Sequence, residues 1–237
     1  MTKRIELYED NIGFVECVSH MGSDVTIVNS ARVSFGEHIT DLGKRDKKLI
    51  KYLIKHRHTS TLEHNVVTFR FKVPLFIRSQ HHRHRTWSFN EISRRYTSYN
   101  LEFYEPKQFR KQSESNRQAS VDELIDPLLP PTITLEPQQV PALASHKVCQ
   151  HHKDSLKLFN ELIESGVCRE QARGVLPQNL YTEYYGTCNL NNLFKFIDLR
   201  THSGAQWEIQ QVANAVLDII TELYPVTVDS YLAIRGE

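Results

Sequence analysis

Residues 65–73, NVVTFRFKV, alternate apolar and polar side chains and are rich in β-branched and aromatic residues. This alternation predicts a β-strand with one buried face. Four residues form that face: Val67, Phe69, Phe71 and Val73. Pro74 follows directly, and its fixed φ suits the first residue of a helix, which we expect to run through Arg83. The stretch therefore predicts a strand that leads straight into a helix.

Helical spacing of apolar residues appears on both sides of this strand. Residues 46–58 predict a helix with Asp46 as its N-cap, and residues 145–166 predict a long amphipathic helix that Gly166 ends. Shorter patterns predict helices over 168–175, 192–199 and 205–224 and a strand over 179–189. The helix over 205–224 has one apolar face, formed by Ile209, Val212, Val216, Leu217 and Ile220. Strands and helices interleave without a regular βαβ repeat, which favours an α+β fold over a doubly wound one. The length favours one domain, which we expect to span residues 1–237.

The whole-chain composition is that of an ordinary globular protein. Of the 237 residues, 40% are hydrophobic and 24% charged, with a net charge of +1. No apolar run is long enough for a transmembrane helix, and the charged N-terminus lacks a signal-peptide core. We therefore expect a cytoplasmic protein that binds neither membrane nor nucleic acid. The four cysteines share no CxxC spacing and are expected to be free and mostly buried.

Residues 112–141 differ in composition from the rest of the chain. This segment contains five prolines and no sustained periodicity. Long connections of this kind lie on the surface, so we expect a proline-rich insertion that forms a partly mobile surface loop.

A basic stretch without acidic residues lies between Glu63 and Glu91. Its cations include Arg70, Lys72, Arg78, Arg83 and Arg85, with His81, His82 and His84 among them. Such a stretch favours an anionic ligand such as a phosphate over a solvated face, which usually mixes both signs. Within it begins the densest polar cluster, RHRTWSFNEISRRY (83–96), which combines arginines with hydroxyl and amide side chains. A charged helix–turn segment without a ligand remains an alternative on these grounds alone.

The motif RHRxxSxNxxSxRY within residues 83–96 resembles the signature of the flavin-dependent thymidylate synthases, the thymidylate synthase complementing protein family. Every specified position is present: Arg83, His84, Arg85, Ser88, Asn90, Ser93, Arg95 and Tyr96. Further blocks occur in the family's order at 30–35, 55–64, 164–182 and 198–210. The resemblance covers most of the chain apart from the proline-rich insertion.

This resemblance implies the reaction, the cofactor and the assembly. The expected reaction is the reductive methylation of dUMP to dTMP, with 5,10-methylenetetrahydrofolate as one-carbon donor, NADPH as reductant through bound FAD, and tetrahydrofolate released. The implied structure is a family-specific fold with a mainly antiparallel sheet, assembled as a homotetramer. Lys195 stands where some relatives carry asparagine, and Gly204 where some carry histidine, with His202 two residues earlier.

The resemblance also implies the site residues. The dUMP-binding positions are Gln80, His81, His82, Arg83, Glu91, Ile92, Ser93, Arg94, Arg95, Arg173 and Arg200. The FAD-binding positions are His58, Ser60, Arg83, His84, Arg85, Asn90, Glu91, Asn189, Leu190, Asn191 and Lys195. Within the first set, Ser93 and Arg95 are expected to hold the phosphate, and Arg200 is the expected catalytic residue.

The expected role of Arg200 is consistent with the chemistry of the side chain. Methylation at uracil C5 needs electron density there, and a fixed positive charge near N3 and O4 stabilises the developing anion. Because a guanidinium does not release its proton, Arg200 is better described as an electrostatic stabiliser than as a base.

Three other interpretations are weaker. The histidines at 56–58 and 81–84 alternate with arginines, whose charge opposes a metal cation, so no metal is expected. A nucleic-acid-binding module would need a strongly basic domain, and this chain is nearly neutral. A flavoprotein that binds nucleotide but has lost methylation is disfavoured, because Ser93, Arg95, Arg173 and Arg200 are all retained. His151 and His152 are expected at the surface of the long helix.

Overall fold

The computed structural model describes residues 3–130 and 141–236. In this part of the chain the helices are α1 (Asp24–Arg32), α2 (Lys44–Lys55), α3 (Leu75–His81), α4 (Ala144–Glu164), α5 (Arg169–Ala172), α6 (Leu190–Arg200), α7 (Trp207–Leu223) and α8 (Pro225–Arg235). The strands are β1 (Arg4–Glu6), β2 (Phe14–Met21), β3 (Val66–Pro74), β4 (Ser88–Glu91), β5 (Phe109–Gln112), β6 (Ser120–Ile125), β7 (Leu128–Leu129), β8 (Ala142–Leu143) and β9 (Tyr181–Asn189). No helix within these ranges combines the length and apolar character needed to cross a bilayer.

The chain divides into two compact units. The first unit comprises Met1–Val73, Ser79–Glu91 and Glu183–Glu237, and the second comprises Pro74–Arg78 and Ile92–Thr182. A five-stranded sheet in the order β1-β2-β3-β9-β4 contains the strands of the first unit, and β1–β2, β2–β3 and β4–β9 pair antiparallel. The prediction of a mixed helical and mainly antiparallel fold is confirmed, whereas the prediction of one domain over 1–237 stays a prediction.

The core of the first unit lies on the predicted face of β3. Its four apolar residues, Val67, Phe69, Phe71 and Val73, are fully buried, as strand alternation requires. Helix α7 contributes the apolar face expected from its sequence: Ile209, Val212, Val216 and Ile220 are fully buried, and Leu217 is half-buried at the edge. Both periodicity predictions are confirmed.

Two predicted helix starts are wrong by one to three residues. Helix α2 begins at Lys44 with Gly43 as its N-cap, and Asp46 accepts the Gly43 N–H at 2.8 Å from the third helical position. Pro74 is the last residue of β3, and α3 begins at Leu75, whose N–H donates to Leu180 O at 3.0 Å.

Helix α3 also ends at His81, two residues before the predicted end at Arg83. The backbone tightens there, because the N–H groups of Arg83 and His84 donate to Gln80 O at 3.3 Å and to His81 O at 2.9 Å. Arg200 Nη2 also donates to Gln80 O, at 3.1 Å. A long-range contact therefore accompanies the end of this helix, and local propensity does not reveal it.

The second unit contains the long helix and the proline-rich segment. Helix α4 ends as predicted, with Gly166 at a φ of 87° just beyond it. The prediction of a loop over 112–141 is wrong in part, because β6 pairs with β5 and β7 pairs with β8 within and beside it. Strand β6 is almost entirely exposed, so it has no apolar face for a sequence pattern to reveal. Residues 131–140 lie outside the described residues.

His152 was expected at the surface but is buried. Its ring stacks on Phe103 at 4.8 Å, and Nδ1 lies 2.8 Å from Glu105 Oε1. His151 is exposed, as expected. The four cysteines are free, as expected. The expectation that most are buried is wrong, because only Cys17 and Cys188 are buried, while Cys149 is half-buried and Cys168 is exposed.

Candidate functional site

Helix α6 connects two groups of predicted site residues in the first unit. Asn189 caps its N-terminus, and the amide oxygen accepts the Asn192 N–H at 3.0 Å. Asn191 is buried and donates through Nδ2 to Glu63 Oε1 at 2.8 Å. Arg200 is the last residue of the helix. The N-terminal end thus carries part of the predicted flavin set, and the C-terminal end carries the predicted catalytic arginine.

A short 3-10 helix, Thr59–Leu62, lies beside the N-terminal end of α6. Ser60 lies in this 3-10 helix and His58 directly before it, and both are exposed. The His58 ring stacks on the Tyr52 ring, with 5.9 Å between the centroids. Leu190, the first residue of α6, is fully buried, and its N–H donates to Asn65 O at 2.9 Å. The structure therefore brings together the predicted flavin residues from two distant parts of the sequence.

Lys195, in the middle of α6, is exposed, and its ammonium donates to Asn192 Oδ1 at 3.3 Å. His202 Nδ1 accepts the Gly204 N–H at 3.0 Å, which makes a tight turn just after α6. His202 and Gly204 therefore contact each other in this turn.

The Arg200 guanidinium is half-buried and held by two hydrogen bonds. Nε donates to His84 Nε2 at 3.1 Å, and Nη2 donates to Gln80 O at 3.1 Å. Burial lowers the pKa of Arg200 from its ordinary value, but a guanidinium remains charged at neutral pH. Among residues 3–130 and 141–236, two of the five guanidinium N–H groups have a partner, and the other three are available to a ligand.

Gln80 and His84 are the two predicted site residues that contact Arg200. Gln80 also donates through Nε2 to Gln206 Oε1 at 2.6 Å. The His84 ring packs edge-on against Phe196 of α6 at 5.0 Å. Burial and the neighbouring Arg200 charge lower the pKa of His84 to about 4, so this imidazole is neutral at pH 7.

His81 is fully enclosed, so this geometry does not support its predicted direct contact with nucleotide. The ring packs among the rings of Phe71, Trp87, Phe89, Tyr184 and Phe196. Nδ1 is 2.8 Å from Tyr184 Oη, and Nε2 has no hydrogen-bond partner in the described part of the chain. Burial, with the nearby His84, His82 and Arg200, holds the pKa of His81 well below its usual range. His81 therefore supports the end of α3 from within the core.

Two arginines of the basic segment are accessible, while His82 is half-buried. Arg83 and Arg85 are exposed, and neither forms an ion pair with the residues that the structure describes. His82 stacks on Phe89 at 4.1 Å. Asn90 is exposed on the edge strand β4, opposite Tyr185 of β9. Accessible arginines and an amide on a sheet edge form a donor set suited to phosphate and carbonyl oxygens.

In the second unit, residues 94–96 form a turn, and Ile92 and Ser93 just before it are half-buried. Ser93 O accepts the N–H groups of Tyr96 and Thr97, and Ser93 Oγ accepts the Arg95 N–H at 3.3 Å. Arg94 points differently from its neighbours: its guanidinium donates to Tyr99 O at 2.6 Å, Asn100 O at 3.2 Å and Tyr181 O at 3.3 Å. Arg94 therefore holds the loop to β9, while Arg95 stays exposed.

Helix α5 brings two predicted arginines together around Glu170. Arg95 Nη2 lies 3.2 Å from Glu170 Oε2, and Arg173 Nε donates to Glu170 O at 3.4 Å. Both arginines are exposed. Arg169 Nη1 donates to Ser98 Oγ at 2.7 Å and is a further cation on this surface. Ser93, Arg95 and Arg173 thus form an accessible cationic surface within the second unit.

Sequence reasoning missed the residues that hold these groups in place. They are Glu63, Glu170, Tyr184, Phe196 and Gln206. Glu170 had a visible signal, because it is an acidic residue between Arg169 and Arg173. The others are remote in sequence from the groups that they contact, so no local pattern pointed to them.

Comparisons with known proteins agree with the motif. The family model described as thymidylate synthase complementing protein matches residues 16–226. A flavin-dependent thymidylate synthase of Thermus thermophilus is 46% identical over 214 residues, which cover 90% of this chain and 73% of the relative. One from Thermosipho melanesiensis is 40% identical over 220 residues, covering 93% and 90%.

A solved structure supports the same assignment. The UMP/dUMP methylase PolB from Streptomyces cacaoi, bound with 5-Br UMP, is 34% identical, covers 97% of both chains and has a TM-score of 0.77. The sequence match, the fold and the motif residues therefore agree. The chain belongs to the thymidylate synthase complementing protein family, the flavin-dependent thymidylate synthases.

Proposed function

We propose that this chain converts dUMP to dTMP by reductive methylation, with NADPH as reductant through bound FAD. The methylene group of 5,10-methylenetetrahydrofolate is transferred to uracil C5, C5 loses its proton, and a hydride from NADPH completes the methyl group, so that tetrahydrofolate and NADP⁺ are released. The observation that carries this proposal is the half-buried Arg200 guanidinium, which His84 and Gln80 hold; its other three N–H groups have no partner in the described part of the chain and are available to a ligand.

Arg200 fits the uracil end of the nucleotide. The remaining N–H groups of Arg200 can donate hydrogen bonds to O4 and to an ionised N3. A neutral N3 carries its own proton and cannot accept such a bond. A fixed charge there favours the N3-ionised ring and the enolate-like electron distribution that makes C5 nucleophilic. Partial burial strengthens the effect, because fewer waters screen the charge.

The cationic surface of the second unit fits the phosphate end. Arg95 and Arg173 present guanidinium groups, and Ser93 adds a hydroxyl, which together provide charge-assisted donors for a phosphate dianion. In the free chain Arg95 pairs with the Glu170 carboxylate at 3.2 Å, and a phosphate competes for the same guanidinium. Arg94 acts by holding this loop in place.

The residues around α6 fit FAD. The exposed Arg83 and Arg85 are available for the pyrophosphate, and Asn189 at the positive end of α6 adds an amide and the helix dipole. His58 and Ser60 supply further polar groups near that helix end. When bound, FAD supplies the hydride transfer between NADPH and the one-carbon unit. The protein residues orient it and provide the charges.

The cysteines do not supply a nucleophile for C6 of uracil in this proposal. Burial raises the pKa of the Cys17 and Cys188 thiols, which disfavours the reactive thiolate. Cys168 is exposed next to α5, so it is the thiol to test. Because the proposed route uses no cysteine, we expect Cys168→Ser to retain turnover, whereas Arg173→Ala loses it. Loss of turnover in Cys168→Ser, with normal flavin content, would contradict the cysteine-free route.

We propose a cytoplasmic homotetramer in which Arg173 and Arg200 reach one dUMP from different subunits. Arg173→Ala and Arg200→Ala are each expected to be nearly inactive. If the arginines come from different chains, random exchange between the two variants restores about a quarter of the sites. If both come from one chain, every site keeps a lesion. A mixture as inactive as its parents, after demonstrated subunit exchange, refutes the shared site.

The flavin spectrum and the product test the proposal directly. The purified protein is expected to be yellow and to form dTMP only when NADPH and methylenetetrahydrofolate are both present. A colourless protein that retains nucleic acid would favour the basic-module alternative. A yellow protein that binds dUMP without forming dTMP would favour the flavoprotein that has lost methylation.

A further inference from the structure

Arg200 is oriented by an imidazole rather than by a carboxylate. The partner of its Nε is His84 Nε2 at 3.1 Å, and the partner of Nη2 is the neutral carbonyl of Gln80 at 3.1 Å. A carboxylate partner would neutralise much of the guanidinium charge. Two neutral acceptors fix the direction of the guanidinium and leave its charge available for a ligand.

This contact also fixes the tautomer of His84. A neutral imidazole accepts through one nitrogen and carries its proton on the other, so an Nε2 that accepts from Arg200 requires the proton on Nδ1. If Nε2 were protonated as well, its N–H would face the Arg200 Nε–H, and the imidazolium would lie beside the guanidinium cation. The lowered pKa of about 4 has the same two causes, burial first and then the Arg200 charge.

The surroundings of His84 contribute to this state. Arg200 and the Phe196 ring face it from α6, and His81 faces it from the end of α3 at 6.3 Å between ring centroids. The flanking residues Arg83 and Arg85 are also cations. Each charged neighbour named here is a cation or an imidazole, so the surroundings favour the neutral form of His84 at working pH.

We propose that His84 is a positioning residue, whose neutral Nε2 aims the Arg200 guanidinium at the uracil ring. This inference rests on the proposed function. It adds to the flavin contact that the family resemblance implies for the same residue. It assigns His84 an effect on the charge at uracil N3 and O4, which is exerted through Arg200.

Two substitutions separate positioning from packing. His84→Gln places an amide oxygen where it can still accept from Arg200 Nε, and His84→Leu fills the space without an acceptor. Because small misplacements of a catalytic group cost up to about 100-fold in rate, we expect His84→Leu to lose about 10–100-fold in kcat, with a much smaller change in KM for dUMP. His84→Gln should recover most of this loss. The exposed His151→Gln is the matched control.

Nuclear magnetic resonance of the protein labelled with ¹³C and ¹⁵N at histidine tests the contact itself, without flavin or nucleotide. The His84 signals are assigned by their loss in His84→Gln. We expect an imidazole protonated at Nδ1 that resists further protonation down to about pH 4. We also expect Arg200→Gln to raise the pKa of His84.

The contact is overturned by an Nε2-protonated tautomer, or by an Arg200→Gln variant that leaves the pKa and tautomer of His84 unchanged. The positioning role is overturned if His84→Leu keeps wild-type kcat, or if His84→Gln is as impaired as His84→Leu. The measured tautomer shows whether His84 Nε2 accepts from Arg200 Nε, and this result does not depend on whether the wild-type protein forms dTMP. A failure of the proposed function is therefore distinguishable from a failure of this inference.

Discussion

Substitution of Arg94 by lysine tests whether the Arg94 side chain holds the loop that follows Ser93, where we propose that the dUMP phosphate binds. The guanidinium donates to the carbonyls of Tyr99, Asn100 and Tyr181 and so connects the loop after Ser93 to β9. Lysine keeps the charge but has one compact ammonium, which cannot reach three carbonyls in the fork geometry of arginine. At least two of the three hydrogen bonds should therefore be lost in Arg94→Lys.

The expected magnitude follows from these contacts. Each hydrogen bond to a charged donor contributes about 1.5–3 kcal/mol, and the half-buried position of Arg94 places it at the low end. Two lost hydrogen bonds at the low end correspond to about 3 kcal/mol, so we expect the free energy of unfolding to fall by about 3 kcal/mol. A loosened loop must also be ordered when dUMP binds, and a cost of about 1.4 kcal/mol for that step weakens binding about tenfold.

Urea denaturation without nucleotide and calorimetric titration with dUMP measure the two effects. Arg117→Lys, an exposed arginine between β5 and β6, is the control and should change neither quantity. An Arg94→Lys protein of unchanged stability that no longer binds dUMP would show that Arg94 is a direct ligand. Unchanged stability together with unchanged affinity would refute the reasoning entirely.

Three further predictions concern the site and its support. Ser93→Ala should weaken dUMP binding yet keep measurable turnover at saturating nucleotide, because Ser93 Oγ accepts the Arg95 N–H and no base contacts it among the described residues; complete loss of turnover with dUMP and flavin bound would make Ser93 a nucleophile. Tyr184→Phe removes the partner of the enclosed His81 Nδ1, and urea denaturation should show a loss of about 1–3 kcal/mol; no loss would mean that this hydrogen bond contributes nothing. The pKa of His81 and that of His84 are lowered in the folded chain, so the unfolded chain binds more protons, and the free energy of unfolding should fall as pH drops from 6.5 toward about 4. A stability that is flat over this range would contradict the buried neutral imidazoles.

Periodicity predicted the elements whose burial is one-sided. The alternation of β3 and the apolar face of α7 both identified fully buried residues, because burial on one face leaves a regular pattern in the sequence. Strand β6 failed this test, since nearly all of it is exposed and its pairing with β5 comes from backbone hydrogen bonds. The early end of α3 was missed for a related reason, because Arg200 contacts Gln80 O from 120 residues away.

The site was predicted unevenly as well. The basic segment suggested an anion, and the motif resemblance assigned the individual residues. Neither distinguished Arg94, which bonds to carbonyls, from Arg95, which stays accessible beside Glu170. Neither showed that His81 is enclosed while the neighbouring Arg83 is exposed. These distinctions depend on the direction in which each side chain points. The backbone turns determine that direction, and the order of residues in the sequence does not show it.

Release of tritium from 5-tritiated dUMP measures the central claim most directly, because methylation at C5 must expel the hydrogen at that carbon. We predict tritium release that requires both methylenetetrahydrofolate and NADPH, matches dTMP formation and is lost in Arg200→Ala. Release that continues at the wild-type rate in Arg200→Ala, or no release from a yellow wild-type protein with all substrates present, would contradict the account.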